Sequence, residues 1–172
     1  MTSLRLAIAA ALPLLAACTA VVPVDLRREV RLESPGGAFS AQQEIDLTTV
    51  SAVWSRRDDV DAISVDELQA TVTWVGAGHQ AAAVSLAIAF RPEGAPADGS
   101  RDVQAGTLDH LPFQVGSAVT LQGTPALDAF LLEALHGSGR FTAVASGTLD
   151  DAANAVIELH LVGSASYQVV DP

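Results

Sequence analysis

The sequence contains no lysine and only one cysteine, and each of these scarcities narrows what the chain can be. Among its 172 residues, nine arginines stand against twenty Asp and Glu. This acidic balance argues against nucleic acid as a partner, because affinity for phosphate depends on cationic contacts. It also argues against adhesion to anionic lipid by charge alone. Because Cys18 is the only cysteine, no internal disulfide can form, and the fold must depend on its core.

Signatures of catalysis and of cofactor binding are also missing. There is no Gly-x-Ser-x-Gly elbow, and the phosphate-loop motif requires a lysine. The four histidines lack the spacing that zinc sites use, and each is expected at the surface: His79, His110, His136 and His160. We therefore predict no catalytic residue, no metal site and no cofactor. A hydrolase, the alternative, would require histidines and carboxylates to converge in one cleft.

The densest group of carboxylates lies between residues 58 and 67 and consists of Asp58, Asp59, Asp61, Asp66 and Glu67. Calcium binds such oxygens in flexible loops, but the loop motif needs a ligand at position five and a Gly at position six. Counted from Asp59, these positions are Ile63 and Ser64. A solvated turn, partly neutralised by Arg56 and Arg57, is the preferred interpretation, and a weak calcium site is the alternative.

The first seventeen residues have the composition of an export signal. A short start containing Arg5 precedes an uncharged run over residues 6–17, which ends in small residues. The run is shorter than the ~20 apolar residues that span a bilayer, and Pro13 interrupts it as a helix. We therefore expect residues 1–17 to be a signal peptide that is removed.

The run ends in Leu15-Ala16-Ala17-Cys18. This motif resembles the lipobox of bacterial lipoproteins, in which a Leu and two small residues precede an invariant Cys. The resemblance implies that the Cys18 thiol receives diacylglycerol, that cleavage occurs just before it, and that acyl chains such as palmitate hold the protein on a membrane. Thr19 follows, where an Asp would favour the inner membrane, so the outer membrane is expected, with the periplasmic or surface side open. An ordinary secretory signal with an incidental cysteine is the alternative.

The remaining chain is expected to form one domain. Residues 18–23 are predicted to be the lipidated N-terminus and a short tether, and residues 24–172 the domain itself. This part keeps eight arginines against twenty carboxylates, a net charge of about −12, for which solubility is the simplest reason. Apolar residues make up 49% of the sequence, which is enough for a sizeable core.

Alternating apolar and polar residues predict strands along most of this domain. The alternation begins at Val22, and Arg28 breaks it as a bulge or a rim. Residues 45–53 are a second candidate strand, with a short helix entering at Ser40 as the alternative. Further strands are predicted over residues 63–74, 84–90, 103–108, 111–115 and 119–121. Within the first of these, one face is predicted to carry Leu68, Ala70, Val72 and Trp74.

One segment has the pattern of a helix. Thr124 can cap it, Pro125 suits its first position, and Gly137 ends it. The two long alternating runs after it, separated by a polar turn at residues 150–154, predict an antiparallel hairpin.

Together these elements predict an antiparallel β-sandwich of seven or eight strands, with one helix across an edge or end. The absence of βαβ alternation argues against a doubly wound sheet. The pattern is similar to small β-sandwich lipoproteins without known activity and to LEA-type (late embryogenesis abundant) sandwiches.

The expected function is non-enzymatic: a membrane-anchored lipoprotein of the cell envelope whose sheet surface or edge contacts another envelope protein. A carrier or sensor of an apolar ligand is the alternative, with a pocket near Trp54 and Trp74. A continuous internal cavity would favour that alternative, and a filled core would count against it.

Overall fold

The computed structural model describes residues 18–169, so the predicted signal peptide lies outside the described residues. Eight strands form two antiparallel sheets. The strands are β1 (Cys18–Ser34), β2 (Gly37–Asp46), β3 (Val60–Val75), β4 (Ala83–Pro92), β5 (Val103–Pro112), β6 (Ala118–Gln122), β7 (Arg140–Leu149) and β8 (Ala153–Val169). The helices are α1 (Ser51–Trp54), flanked by 3-10 turns at Leu47–Thr49 and Arg57–Asp59, and α2 (Pro125–His136). Neither helix has the length and apolar content needed to cross a bilayer.

The strand order defines the fold. Sheet A has the order β1-β8-β3-β6 and sheet B the order β2-β7-β4-β5. Successive strands change sheet at every connection except the one from β4 to β5. Eight antiparallel strands in this order form a jelly roll, a sandwich made of two Greek keys. The predicted antiparallel β-sandwich is confirmed, and within residues 18–169 α2 is the one α-helix of more than a single turn.

The core fills the space between the sheets. The inward faces of β1, β4 and β8 carry alternating buried apolar residues, as predicted. Phe90 of β4, Phe130 of α2 and Phe141 of β7 form an aromatic cluster, with ring centroids 5.2 to 6.1 Å apart. Helix α2 therefore belongs to the same core as the strands.

Arg28 lies at a rim of this core. The pairing of β1 with β8 is uninterrupted at Arg28, which lies opposite Leu159, so the predicted bulge is wrong and the rim is confirmed. The guanidinium donates to the Thr49 hydroxyl at 2.8 Å and to the Arg27 carbonyl at 2.7 Å.

The predicted tether is wrong. Residues 18–23 are the first part of β1, which pairs with β8 from Cys18, opposite Val169, onward. The reason is that β8 continues through Val169 and offers backbone partners along this whole stretch, while Val22 packs against the core. The sandwich therefore begins at Cys18 and not at residue 24.

The strand predicted over residues 45–53 is also wrong, as is the helix entering at Ser40. Ser40 lies within β2, which ends at Asp46. The Asp46 carboxylate accepts a hydrogen bond from the Thr48 N–H at 2.9 Å and so starts a 3-10 turn. Leu47, in this turn, and Val53, in α1, are both buried, but neither lies in a strand.

Strand β3 changes face at irregularities in its pairing with β8. Register shifts lie between Val65 and Glu67 and between Val72 and Trp74. The second shift inserts Thr73 as an extra residue, which rotates Trp74 to the outer face. Trp74 therefore lies opposite Val156 and is 44% exposed, not on the predicted face with Val72.

The strand predicted over residues 103–108 and the start of the one predicted over 111–115 form one strand, β5, with an irregular register near His110, and residues 113–115 lie outside it. His110 has a φ of 52°, and its N–H donates to the Ser85 hydroxyl at 3.1 Å. This local distortion interrupts the alternation without ending the strand.

The predicted hairpin of the last two strands is wrong. β7 belongs to sheet B, where it pairs with β2 and β4, and β8 belongs to sheet A. The chain crosses between the sheets near Asp151, so Leu149 and Ala153 are both buried in the core. The alternation of apolar and polar residues is the same whether two strands pair in one sheet or lie in two facing sheets. It therefore could not distinguish a hairpin from a crossing between the sheets.

Helix α2 has the predicted ends. The Thr124 hydroxyl accepts from the Leu127 N–H at 3.2 Å, and the helix stops before Gly137. The helix covers the part of β3 that β6 does not reach. The Asp128 carboxylate accepts from the Val65 N–H at 2.8 Å, and the His136 ring donates to the Val60 carbonyl at 3.0 Å. These contacts close an exposed sheet edge.

Candidate functional site

The sandwich has two ends, and the predicted anchor lies at one of them. Cys18 opens β1, and the same end, called here the Cys18 end, contains Val169 of β8 and Val60 of β3. The opposite, far end contains Ser34 and Ala153. At ~3.3 Å per residue, the 17-residue strand β1 spans about 50 Å.

Two aromatic–arginine pairs lie at the Cys18 end. The guanidinium carbon of Arg56 is 4.8 Å from the ring centroid of Tyr167, and that of Arg57 is 4.5 Å from the ring of Trp54. The short helix α1 and the 3-10 turn after it bring the two consecutive arginines to different rings. These distances are typical of cation–π contacts. We call these four residues the Cys18-end cluster.

An apolar patch lies at the far end. Trp74 is 44% exposed and Val115 is 58% exposed. The Gly116 N–H donates to the Val72 carbonyl at 2.8 Å, which holds the turn containing Val115 beside the end of β3. The Arg31 guanidinium carbon is 5.7 Å from the Trp74 ring. Trp74, Val115 and Arg31 are called here the far-end patch.

The two tryptophans predicted to line a pocket are not brought together. Trp54 precedes β3 and Trp74 lies near its other end, so the length of that strand separates them. An apolar cavity near α1 has a volume of only ≈ 10 Å³ and neither tryptophan lines it; its walls are Val24, Leu26, Leu47, Val50, Val53, Ile63, Leu131 and Leu161. That volume is about one water molecule.

An open groove of ≈ 220 Å³ lies between the end of α2 and the adjoining ends of β4 and β7. Its charged residues are Glu93, Glu133 and Arg140, and Arg140 also lies 3.5 Å from Asp46. No histidine lines this groove.

The histidines lie in four separate places. His79 links a far-end loop to Phe113, whose carbonyl it contacts at 3.0 Å, and His160 lies 3.0 Å from Asp25 on the outer face of sheet A. His110 lies at the irregularity of β5, and His136 ends α2. Over residues 18–169, no three His, Cys, Asp or Glu side chains are grouped so that they could hold a metal ion.

The acidic residues of the calcium hypothesis are spread along the chain. Asp58 and Asp59 lie in the 3-10 turn, where Asp58 is 3.6 Å from Arg57. Asp61, Asp66 and Glu67 follow along β3. Their separation along an extended strand keeps them from meeting around one ion.

The outer edge of sheet A is strongly charged. The outward residues of β1 alternate in sign: Asp25, Arg27, Glu29, Arg31 and Glu33. Arg27 lies 3.7 Å from Asp25 and 3.4 Å from Glu158 on β8. Charged residues on an edge strand oppose pairing with another strand.

Sequence reasoning missed a buried ion pair. Arg91, on β4, donates from two nitrogens to the two carboxylate oxygens of Asp102, each at 2.8 Å. The hydrogen bond with Asp102 raises the pKa of Arg91. The only sequence signal is a charge at the end of an otherwise apolar strand. The pair ties the loop between β4 and β5 to the sheet.

No family model matches this chain, and no curated protein matches it. Several viral structures match over most of the chain. The Turnip yellow mosaic virus structure has a TM-score of 0.40 at 10% identity and covers 100% of this chain and 93% of its own. The Desmodium yellow mottle tymovirus structure has a TM-score of 0.40 at 12% identity and covers 100% of this chain and 94% of its own. The decameric BFDV capsid protein has a TM-score of 0.42 at 12% identity and covers 87% of this chain and 98% of its own. Likeness at this level assigns no function.

Proposed function

We propose that this protein is a lipoprotein of the bacterial cell envelope, anchored by lipid on Cys18, whose jelly-roll body is a non-enzymatic interaction module. The observation that supports this proposal most directly is the placement of two features. The residue predicted to carry the lipid opens β1 at one end, and the exposed apolar patch lies at the other. An anchored body would thus present Trp74 and Val115 away from the membrane, to another envelope protein.

The chemistry of the far-end patch suits a protein partner. Trp and Arg are enriched among the residues that dominate interface energies, and the patch combines Trp74 with Arg31. Lone exposed apolar residues are ordinary, whereas large contiguous apolar patches mark interaction sites. The charged edge of β1 is less suited to docking, so the patch is favoured over the sheet edge.

The carrier alternative has less support. Ligand pockets usually measure ~300–1,000 Å³, whereas the apolar cavity near α1 measures ≈ 10 Å³. A lipid could enter it only if the core separated.

Lipid attachment is tested first. Cells expressing the full chain are labelled with a clickable palmitate analogue and fractionated, with Cys18→Ser as the matched control. Label on the wild-type protein, recovered with outer membranes, is expected. Equal membrane recovery of unlabelled wild type and Cys18→Ser would overturn the proposal.

The far-end patch is tested separately, in the anchored protein. A photocrosslinking residue is placed at position 74 or 115, or at exposed Ser146 on the outer face of sheet B as the control. Discrete adducts from positions 74 and 115, and none from 146, are expected. Equal crosslinking at all three positions would contradict the proposed docking surface.

A further inference from the structure

We propose that the Cys18 end rests on phospholipid headgroups, so that the sandwich stands end-on with the Cys18-end cluster in the interfacial zone. This inference rests on the proposed lipid anchor at Cys18 and adds the orientation of the body. Trp54 and Tyr167 would lie at headgroup level, and Arg56 and Arg57 would contact lipid phosphate.

The first argument is distance from the anchor. Cys18 pairs with Val169, and Ala20 pairs with Tyr167, so Tyr167 lies two residues along the ladder from the anchor position. Two strand residues span ~7 Å. Tyr167 also pairs with Val60, the first residue of β3, directly after the 3-10 turn. Because no tether separates Cys18 from β1, these residues cannot lie far from the bilayer surface.

The second argument is the chemistry of the cluster. Trp and Tyr are enriched at membrane–water interfaces, where an apolar ring and a polar tip are both satisfied. Arginine binds phosphate with a planar, forked set of donors. The Cys18 end also exposes Val21, at 64%, and Val169, at 43%. Apolar, aromatic and cationic groups thus lie together at this end, beside the exposed carboxylates of Asp58, Asp59 and Asp61.

The third argument is that the two arginines have few ion-pair partners within the described part of the protein. Arg57 lies 3.6 Å from the exposed carboxylate of Asp58, a solvent-screened pair. Arg56 is exposed, and no carboxylate within residues 18–169 lies at ion-pair distance from it. Its guanidinium is held over the Tyr167 ring. The net charge of the body, about −12, opposes anionic lipid, so the match is to zwitterionic phospholipid.

A flat orientation is less compatible with the surface. Lying on the β1 side of sheet A would bring Asp25, Glu29 and Glu33 against the headgroups. Standing on the Cys18 end directs this charged strip along the membrane normal.

The two tryptophans provide the test, because they lie at opposite ends. The lipidated full chain is reconstituted in phosphatidylcholine vesicles carrying a nitroxide quencher on the headgroup. Trp74→Phe leaves Trp54 as the probe, and Trp54→Phe leaves Trp74 as the matched control. Quenching of Trp54 at least several-fold stronger than that of Trp74 is expected. Equal quenching, or stronger quenching of Trp74, would overturn the end-on orientation.

A charge-matched pair of variants tests the arginines in the Trp74→Phe background. Arg56→Gln with Arg57→Gln is expected to reduce the quenching of Trp54, and Arg27→Glu, which changes the net charge by the same two units on the outer face of β1, is expected to leave it unchanged. The same loss in both variants would contradict a local phosphate contact. If the palmitate-labelled protein fails to join vesicles at all, the anchor proposal itself fails. Binding without quenching of Trp54 refutes only the orientation.

Discussion

Arg91 is a charged residue held almost entirely inside the molecule. Its side chain is 9% exposed and that of its partner Asp102 is 7% exposed. The two hydrogen bonds are parallel and charge-assisted, the strong geometry for such a pair. Removing one member of a buried pair leaves the other charge uncompensated, which is costly.

We therefore expect Asp102→Ala to lower the melting temperature and to loosen the loop between β4 and β5. A glutamate-specific protease should cut faster after Glu93, within that loop and away from the substitution. Asp109→Ala, at an exposed position of β5, removes the same charge and is the control. Differential scanning fluorimetry and timed proteolysis measure both effects. Similar melting and cleavage in the two variants would show that the pair does not hold the loop.

Asp46 is a residue whose charge state should affect stability. Hydrogen bonds from the Thr48 side chain and backbone lower the pKa of Asp46 below its ordinary value of 3.8. A carboxyl group whose pKa is lower in the folded state than in the unfolded state stabilises the fold. This stabilisation is fully present when the pH is above the unfolded-state pKa, and it is lost as the pH falls through the folded-state pKa.

Asp46→Asn removes this titration. The difference in unfolding free energy between wild type and Asp46→Asn should shrink as the pH falls from about 5 toward 3. Urea unfolding at a series of pH values measures it, with exposed Asp58→Asn as the control. A difference that stays constant with pH would contradict the role of the Asp46 charge.

At the scale of elements, helix α2 both fills the core and closes the free edge of β3. Leu131 is 2% exposed and lines the apolar cavity near α1, whereas its neighbour Leu132 is only partly buried. Leu131→Ala should cost about 2–5 kcal/mol of stability, because it enlarges an existing cavity in a packed core. Leu132→Ala, the matched control, should cost clearly less. Chemical denaturation measures both, and equal losses would mean that α2 is not seated as described.

The elements also show how far the sequence could predict the fold. Alternation identified which residues of β1, β4 and β8 are buried, and the capping pattern of Thr124 and Gly137 located α2. It could not identify strand partners, because β7 and β8 have the same alternation in a hairpin and across a sandwich. The position of Trp74 depends on one extra residue, Thr73, whose effect appears only in the pairing with β8.

The candidate site was predictable only in part for the same reason. Trp54 and Trp74 were predicted to line one pocket. They cannot do so, because the length of β3 separates them. The cation–π pairs of Arg56 and Arg57 depend on the turns around α1, a segment predicted to be a strand. The lipobox resemblance concerns local sequence alone and did not depend on the fold.

At the scale of the whole molecule, the jelly roll separates the Cys18 end from the far-end patch. The separation depends on β1 running the full length of sheet A and pairing with β8 throughout. A body joined to its anchor by a strand has a defined direction, whereas a body on a flexible tether would not. The contribution of residues 18–23 to the sheet is thus central to the proposed function.

Deleting residues 18–23 from a soluble Cys18→Ser chain tests this coupling. Because these residues pair with residues 164–169 of β8, their removal should expose that part of the strand and lower the melting temperature. Hydrogen exchange should show lost protection at those amides of residues 164–168 that donate to β1 rather than to β3, while residues 154–158, paired with the far half of β1, keep theirs. The full Cys18→Ser chain is the reference. If the deletion left melting and exchange unchanged, residues 18–23 would behave as a free tether, and the strand could not set the direction in which the body stands.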